Sequence, residues 1–291
     1  MDNIFDLRRL LAGGSYVHGK YHAFNINDPK PRQIHKAAVQ DRLVHHAVYR
    51  VVYPYFDRRF IRDSFSCRVN KGTHKALERF RRFEYTVSEN YKRTVWVLKC
   101  DVKRFFASVD QRVLMSILER DISDKKIVQL LEKIITSFDS GQTGIGLPLG
   151  NLTSQLLVNI YMNEFDQFAK RELRARCYIR YADDFVVLSQ DREELVSILA
   201  RMKEFLWSKL RLKLHGNKIH IRSLVSGVDY LGWIIFPDHV VIRTKTRRKM
   251  MRRLRERQGN KETIQSYLGL LSHGNTFKLR EEIRNRSINL Q

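Results

Sequence analysis

The chain has 291 residues, 43% of them hydrophobic, which is enough for a sizeable core and for more than one packing unit. Its formal net charge of +23 favours a polyanionic partner. The apolar runs are strand-sized and the chain start lacks a secretory signal, so nucleic acid is favoured over a membrane surface. The three cysteines have neither disulfide nor zinc-ligand spacing, and we therefore expect a cytoplasmic protein.

The first third of the chain predicts two helices after a loop-rich start. Residues 1–35 are rich in helix and strand breakers, and helices are predicted over 36–60 and 73–84. The first helix depends on apolar residues at helical spacing, namely Val39, Leu43, Ala47 and Val51. Pro54 is expected to interrupt this helix, because proline removes a backbone hydrogen bond.

The rest of the chain predicts a mixed α+β arrangement. The predicted elements are a strand over 94–102, helices over 111–120, 124–138 and 152–171, strands over 177–181 and 185–189, a long helix after Asp191, strands over 218–222, 229–236 and 239–243, and a basic helical tail over 246–291. Asp191 is predicted to cap the long helix, with Glu194 at capping-box spacing. We expect one compact antiparallel sheet, built from about 94–102, 177–189 and 218–236, to pack against the helices.

Three acidic residues lie at the ends of predicted strands. Asp183 and Asp184 separate two short apolar strands at hairpin spacing, and Asp101 ends another strand. Adjacent like charges cost free energy unless cations neutralise them. Two Mg²⁺ ions about 4 Å apart, bound by carboxylate oxygens, can activate an attacking hydroxyl and stabilise a leaving pyrophosphate. The acids therefore indicate a two-metal site, and the alternative is a polar turn beside an unrelated strand end.

Several motifs resemble those of reverse transcriptases in order and spacing over about residues 30–240. The segments are Arg32-Gln33-Ile34, SFSCRVNKG at 64–72, DVKRFF at 101–106, PLGNLTSQ at 148–155, YADD at 181–184 and YLGW at 230–233. The resemblance implies an α+β right-hand polymerase fold and the copying of RNA into DNA. Its expected parts are fingers over 1–93, palm over 94–110, a helical insertion over 111–145, palm over 146–238 and a basic helical thumb over 239–291.

The resemblance also implies roles for single residues. Asp101, Asp183 and Asp184, with Val102, would hold two Mg²⁺ ions, for which Mn²⁺ could substitute. The incoming dNTP would be bound by Arg32, Arg68, Phe106, Leu149, Gly150, Gln155 and Tyr181. Lys218 is a catalytic candidate that would protonate the leaving pyrophosphate, with a surface lysine as the alternative.

Two of these roles have plain structural alternatives. Phe106 would be the steric gate that excludes a ribose 2′-hydroxyl, but a phenylalanine beside Phe105 could also be core. Arg32 and Arg68 would bind the triphosphate, because guanidinium groups match phosphate oxygens. The alternative for both is an exposed arginine in a very basic chain.

The tail is expected to contact nucleic acid. Residues 243–257 contain nine basic residues and one acidic residue. Met250, Met251 and Leu254 lie at helical spacing and would face the body of the protein. The duplex phosphates would then be contacted by Arg247, Arg248, Arg252 and Arg253. The alternative is a solvated basic face.

Within the family, the segment from Leu149 to Gln155 resembles the enzymes of diversity-generating retroelements. Most relatives carry Gln where this chain has Leu149, and Pro where it has Gln155. The resemblance implies error-prone copying of a template RNA at adenines, in a bacterial, archaeal or phage-encoded system. Implied partners are the template RNA, an RNA/DNA primer–template duplex, dNTPs and a small basic accessory protein.

Two other functions stay open. One is a reverse transcriptase of another retroelement, such as a retron or a degenerate group II intron, although no maturase, endonuclease or retron-specific segment is recognised after the thumb. The other is an RNA-binding scaffold that keeps the fold without activity. The intact set of Asp101, Asp183 and Asp184 argues against the scaffold, which does not need clustered acids.

Overall fold

The computed structural model describes residues 2–27, 31–256 and 260–288, and it confirms the α+β fold class. Its helices are α1 (Asp2–Ala12), α2 (Val39–Asp57), α3 (Thr73–Val87), α4 (Phe105–Ser108), α5 (Gln111–Asp121), α6 (Lys125–Thr136), α7 (Leu152–Gln167), α8 (Arg192–Leu210), α9 (Thr244–Glu256), α10 (Lys261–Leu271) and α11 (Phe277–Ile288). Its strands are β1 (His22–Ile26), β2 (Arg32–Lys36), β3 (Trp96–Asp101), β4 (Tyr178–Tyr181), β5 (Asp184–Ser189), β6 (His220–Ser223), β7 (Val228–Tyr230), β8 (Trp233–Ile235) and β9 (Val240–Ile242). No helix in the described part of the chain is long and apolar enough to cross a membrane.

The central sheet has four antiparallel strands in the order β4-β5-β3-β6. Side chains alternate between the two faces of a strand, so Val97, Lys99 and Asp101 share one face of β3. Asp184 is the cross-strand partner of Asp101 on β3 and of Tyr181 on β4. The sheet therefore carries its acidic residues at one end.

One face of this sheet is covered by helices. Leu98 and Cys100 of β3 and Phe185 and Val187 of β5 belong to a core that includes apolar residues of α2, α5, α6, α7 and α8. Helix α7 is the most buried helix of this layer: 11 of its 16 residues are buried, polar ones such as Asn159 and Asp166 among them. It lies between the sheet, where Phe165 meets Phe185, and the helices α2, α5 and α8.

The other face supports a second core. Val97, Ile179, Val186 and Leu188 pack there with α3, the three-stranded sheet β7-β8-β9 and the helices α9 to α11. Helix α3 lies in the stretch expected to be fingers, yet its apolar face belongs to this core. The end of the sheet that carries the acids lies beside the start of α3, where Thr73 bonds to Tyr181, and beside Asp229 and Arg243 across a cavity.

The helix starts follow local signals in the sequence. The carboxylates of Asp110, Asp124 and Asp191 accept backbone N–H bonds in the first turns of α5, α6 and α8, as N-cap residues do. The predicted capping box at Asp191 is wrong in one detail. The carboxylate of Glu194 accepts a hydrogen bond from the Ser189 hydroxyl, which lies just before the helix.

Helix α2 exists as predicted, but its buried face is a different one. Val39, Leu43 and Val51 are exposed. The buried side chains are Asp41, Val44, His45, Val48, Val52, Tyr53 and Phe56. The helix also continues through Pro54 to Asp57, because the buried side chains of Tyr53 and Phe56 offset the backbone hydrogen bond that proline removes.

Two other expectations are corrected. The stretch 1–35 contains α1 and the antiparallel β1–β2 hairpin, whose mostly exposed strands lack the alternation that marks a half-buried strand. The predicted single sheet is divided, since β6 pairs with β3 while β7, β8 and β9 form a separate sheet. The break lies at a short helical turn, Leu224–Ser226, followed by Gly227 with φ of 78°.

Candidate active site

Three carboxylates lie at one end of the central sheet. Asp101 and Asp184 are register partners at the paired ends of β3 and β5. Asp183 lies in the tight turn between β4 and β5, where Ala182 has a left-handed φ of 55°. The Val102 N–H donates to the Asp183 carbonyl at 3.1 Å and ties the end of β3 to this turn. The fold thus brings together the acids that the sequence singled out.

Burial makes Asp183 and Asp184 costly to ionise. Burial, reinforced by Asp101 and Asp183 and opposed by Lys99, raises the pKa of Asp184 to about 6. Burial and the charge of Asp101 also raise the pKa of Asp183, against Lys218 and Arg32. No described residue donates a hydrogen bond to the buried Oδ1 of Asp184. The cluster would therefore gain from additional positive charge.

Two lysines partly supply that charge. Lys218 donates a hydrogen bond from Nζ to Oδ1 of Asp101 at 2.6 Å. Lys99 places its Nζ 3.7 Å from Oδ1 of Asp184 and donates to the Asp229 carbonyl at 2.7 Å. Lys99 was not singled out from the sequence, although its position two residues before Asp101 on the same strand face is a readable signal.

A buried arginine holds the turn from behind. Arg180 is fully buried and donates from Nε and Nη2 to the two carboxylate oxygens of Asp166, at 2.8 and 2.7 Å. Its Nη1 donates to the Ala182 carbonyl at 3.1 Å and to Asn159 Oδ1 at 3.1 Å. A bidentate buried ion pair is geometrically specific, so it fixes the backbone that carries Asp183. Arg180 was also missed, and an arginine inside an otherwise apolar strand was the available signal.

Phe106 lies beside the loop that follows α6. It is half-buried, its ring centroid is 5.7 Å from that of the buried Phe105, and its carbonyl accepts from the Leu147 N–H at 2.8 Å. The carbonyl of Leu149 accepts from the His35 N–H at 2.9 Å. The loop from Leu147 to Leu149 therefore connects Phe106 with strand β2.

The remaining residues predicted to bind nucleotide lie around this loop and the acidic turn. Gly150 has φ of 109°, and a Cβ there would come 2.6 Å from Cγ2 of Ile34, so only glycine fits. Gln155 is half-buried in the first turn of α7. Tyr181, the cross-strand partner of Asp184, accepts a hydrogen bond from the Thr73 hydroxyl at 3.3 Å.

The two predicted triphosphate arginines differ in their surroundings. Arg32 is exposed on β2, and its charge acts on Asp183. Arg68 has a side chain that is only 6% exposed; it donates to Oδ1 of Asp57 at 2.7 Å and to the backbone carbonyls of Asp57, Ile61 and Ser64. The guanidinium of Arg68 thus makes four hydrogen bonds that hold the loop before α3, and its contact with the triphosphate stays a prediction.

The tail arginines lie on α9 opposite its apolar stripe. Met250, Met251 and Leu254 are buried in the second core, as the spacing predicted. The exposed arginines of this helix include Arg247, Arg248 and Arg252, whereas Arg253 is half-buried. Arg247 and Arg252 each approach a glutamate at 3.5 Å, with more than half of each arginine side chain exposed. Such contacts are weak in water.

A cavity of about 350 Å³ lies beside Asp101 and Asp184, between the central sheet and β7. Its polar and charged lining includes Lys99, Lys218, His220, Arg222, Asp229 and Arg243. Cationic side chains thus dominate the surface next to the acids. A polyanion approaching this end of the sheet would meet a favourable electrostatic potential.

The acids have the ligand chemistry that a divalent metal prefers, but they do not by themselves form a complete coordination shell. In the described part of the chain, no group of three or more histidine, cysteine, aspartate or glutamate side chains is arranged to hold a metal ion. Mg²⁺ is typically held by one or two carboxylates, waters and substrate phosphates instead of an all-protein cage. The Oδ1 of Asp184, which accepts no hydrogen bond from the described residues, and the cost of ionising Asp183 and Asp184 suit such a partial site.

Similar proteins were found by sequence. A family model described as "Reverse transcriptase (RNA-dependent DNA polymerase)" matches residues 26–235. Protein YkfC of Escherichia coli K12 is 28% identical over 260 residues, covering 77% of this chain and 66% of that protein. The group II intron-encoded protein LtrA of Lactococcus lactis subsp. cremoris is 23% identical over 276 residues, covering 72% of this chain and 45% of that protein. The chain thus spans between about half and two thirds of these two relatives.

Similar structures were found among telomerases. Apo telomerase from Candida tropicalis has a TM-score of 0.63 at 11% identity, covering 94% of this chain and 57% of that chain. The same enzyme with a telomeric RNA fragment has a TM-score of 0.60 at 13% identity, covering 98% of this chain and 56% of that chain. At these identities the likeness shows the fold alone, which is that of a right-hand polymerase.

Proposed function

Because the chain belongs to the reverse transcriptase family, we propose that it is an RNA-directed DNA polymerase with Asp101, Asp183 and Asp184 at its reacting centre. The observation that carries this proposal is the register of the sheet, which pairs Asp101 with Asp184 and leaves Asp183 in the adjoining turn. Three acids gathered at one largely buried point are unfavourable by themselves, and metal binding with a polyphosphate substrate would account for them.

Each group at the site would have its own task. Asp101, Asp183, Asp184 and the carbonyl of Val102 would hold two Mg²⁺ ions. When bound, such ions lower the pKa of an attacking hydroxyl and stabilise charge on phosphate oxygens. Arg32, exposed at the start of β2, would bind the triphosphate. Lys218, whose Nζ is already at Asp101, would donate a proton to the departing pyrophosphate.

The nucleotide would lie between the acids and the loop at Leu149. Phe106 would restrict the space at the sugar, and Leu149, Gly150, Gln155 and Tyr181 would line the pocket of the base pair and the sugar. The template–primer duplex would extend from there along the basic face of α9, where Arg247, Arg248, Arg252 and Arg253 would contact phosphates.

The more specific proposal is a reverse transcriptase of a diversity-generating retroelement, with error-prone copying and an accessory protein. It is supported by the segment from Leu149 to Gln155. The likeness to a group II intron-encoded protein supports the alternative of another bacterial retroelement. Both share one chemistry and differ in fidelity, so the bases at which cDNA errors fall would distinguish them.

The test of the proposed activity is primer extension on an RNA template with dNTPs and Mg²⁺, using the wild-type chain, Asp183→Asn and Asp191→Asn. Asp183→Asn should reduce extension by several orders of magnitude. It should keep the thermal stability, because it removes one of several clustered like charges. Asp191→Asn loses a similar charge at a helix cap that asparagine serves equally well, and it should extend normally. Equal extension by wild type and Asp183→Asn would refute the proposal.

A further inference from the structure

We propose that Asn151 is a positioning residue for the triphosphate site, because it fastens strand β2, which begins with Arg32, to the loop at Leu149 and Gly150. The inference rests on the proposed function and adds a residue to it. In the sequence, Asn151 stands among positions that the family motif leaves variable.

The side-chain amide of Asn151 makes the hydrogen bonds to β2 that the backbone of a neighbouring strand would make. Asn151 is 4% exposed, its Nδ2 donates to the His35 carbonyl at 2.7 Å, and its Oδ1 accepts from the Ala37 N–H at 3.4 Å. A neighbouring strand would satisfy an acceptor and a donor two residues apart in the same way. The bond from the His35 N–H to the Leu149 carbonyl, at 2.9 Å, continues this pairing. Together these bonds join the loop to the end of β2.

The position of Asn151 makes this use of the amide unusual. Asn151 is the N-cap residue of α7, and asparagine is among the best residues for capping a helix. Its side chain nevertheless makes no capping bond to α7. The amide therefore bonds to β2 instead of to its own helix, so its role is not to start α7.

Close packing reinforces the junction. Gly150 leaves no room for a side chain, because a Cβ would lie 2.6 Å from Cγ2 of Ile34 on β2. Otherwise the β1–β2 hairpin is mostly exposed, so few core contacts fix its position. The Asn151 bridge is thus a main tether between the hairpin and the catalytic body in the part of the chain that the structure describes.

Arg32 begins the same strand. It lies three residues before His35, whose N–H and carbonyl are both bonded to the loop at Leu149 and Asn151. A shift of β2 would move Arg32 relative to the carboxylates and would separate it from the loop at Leu149. Binding of a triphosphate should therefore depend on Asn151 although Asn151 does not touch it.

The experiment uses Asn151→Ser and Asn151→Asp in the full chain. Both replacements are good N-cap residues, so α7 should keep its stability while the two-sided bridge is lost. Serine is too short for the bridge, and aspartate keeps the acceptor for Ala37 but turns an oxygen toward the His35 carbonyl. For single-dNTP addition we expect KM to rise roughly five- to tenfold with kcat changed less than about twofold. Asn275→Ala, which removes the acceptor for the Val240 N–H, should leave KM unchanged.

A double-variant cycle shows whether Asn151 acts through Arg32. If it does, Asn151→Ser should raise KM no further in an Arg32→Gln background. KM increases that multiply, or a wild-type KM in both Asn151 variants of an active enzyme, would overturn the inference. Absence of polymerisation by the wild-type chain is a different result, because it would refute the proposed function itself.

Discussion

The ammonium group of Lys218 lies 2.6 Å from Oδ1 of Asp101 and thus occupies an oxygen that a catalytic metal ion would also bind. Lysine and metal should therefore compete for Asp101, and Lys218 should become free to act as an acid when the metal binds. We predict that Lys218→Met lowers the Mg²⁺ concentration for half-maximal extension. It should also lower the maximal rate about 10²-fold, as expected for loss of a general acid.

The measurement is single-nucleotide extension at varied Mg²⁺ concentration. Lys213→Met is the matched control, because Lys213 is an exposed lysine five residues earlier that lies over the Trp207 ring. It should change neither quantity. A higher Mg²⁺ requirement for Lys218→Met would show that Lys218 assists the metal site instead of competing with it.

Phe106 is predicted to select the sugar. Its ring is half-buried against Phe105, and its backbone is tied to the loop at Leu147. Phe106→Ala should open space for a 2′-hydroxyl and raise rNTP incorporation relative to dNTP by at least about tenfold, as a loss of about 1.4 kcal/mol of discrimination would give. The ratio of kcat/KM for the two substrates measures this. Phe105→Leu should lower stability without changing the ratio, and an unchanged ratio in Phe106→Ala would assign that ring to the core.

The arginines of α9 are predicted to contact duplex phosphates. Neutralising Arg247, Arg248, Arg252 and Arg253 to glutamine should weaken binding to unrelated sequences alike. It should also make the slope of log K against the logarithm of the salt concentration less steep, by up to about 0.9 for each phosphate that is no longer neutralised. Titration of an RNA/DNA duplex across salt concentrations measures the slope.

The control neutralises the exposed, ion-paired arginines Arg9, Arg82, Arg93 and Arg192, which changes the net charge equally. The control should keep most of the wild-type slope. If both sets flatten the slope by the same amount, the effect is one of overall charge, and the assignment of α9 fails.

Leu149 is predicted to loosen selection against mispairs. Its side chain is half-buried in the loop joined to β2, where a glutamine amide would offer hydrogen bonds and leucine offers only shape. Apolar contact separates substrates by only about 1–3 kcal/mol, whereas polar readout can do better. Leu149→Gln should therefore lower misincorporation, most of all opposite adenine, while extension continues.

Sequencing of cDNA made from a defined RNA template counts these errors for each template base. Leu152→Gln introduces the same side chain at a half-buried position three residues later and should leave the error spectrum as in wild type. If wild type and Leu149→Gln share one spectrum, Leu149 does not set fidelity, and the proposal of a diversity-generating element loses its main physical support.

Glu84 should make stability depend on pH. Its Oε1 is buried with no hydrogen-bond partner among the described residues, and burial, against the charge of Arg81, raises its pKa from 4.5 to about 8. Between these two values the unfolded chain has lost a proton that the folded protein keeps. The free energy of unfolding should therefore fall as pH rises through this window, by up to about 1.4 kcal/mol per pH unit.

Glu84→Gln removes this titration, so its stability relative to wild type should increase from about pH 5 to pH 8, the window between the two pKa values. Denaturant unfolding at several pH values measures the difference. Glu78→Gln changes an exposed glutamate of the same helix that is paired with Arg82, and it should leave the pH dependence as in wild type. If the difference in unfolding free energy between Glu84→Gln and wild type stays constant with pH, the raised pKa of Glu84 is not the source of the pH dependence.

The sequence by itself determined the features that depend on neighbours along the chain. Hairpin spacing around Asp183 and Asp184, the cap at Asp191 and the apolar stripe of α9 were all readable, because turns, caps and helix faces are set within a few residues. The α+β class and the family followed from the order of such local signals.

Only the tertiary structure decided which partner each side chain found. The apolar residues of α2 offered more than one possible buried face, and packing on α7 buried Val44 and Val48 instead of Val39 and Leu43. Local spacing does not state which of several compatible faces meets the core, since burial depends on elements distant in sequence.

The same dependence on distant elements explains the partners that the charged and polar side chains found. Arg68, which the motif predicts as a phosphate ligand, is paired with Asp57. Asn151, at a position the motif leaves variable, bridges to His35 across 116 positions. Lys99 and Arg180 bind residues 130 and 14 positions away. A guanidinium, ammonium or amide group binds any acceptor that the fold brings within hydrogen-bond distance. The spacing of residues along the sequence does not predict which acceptor that is.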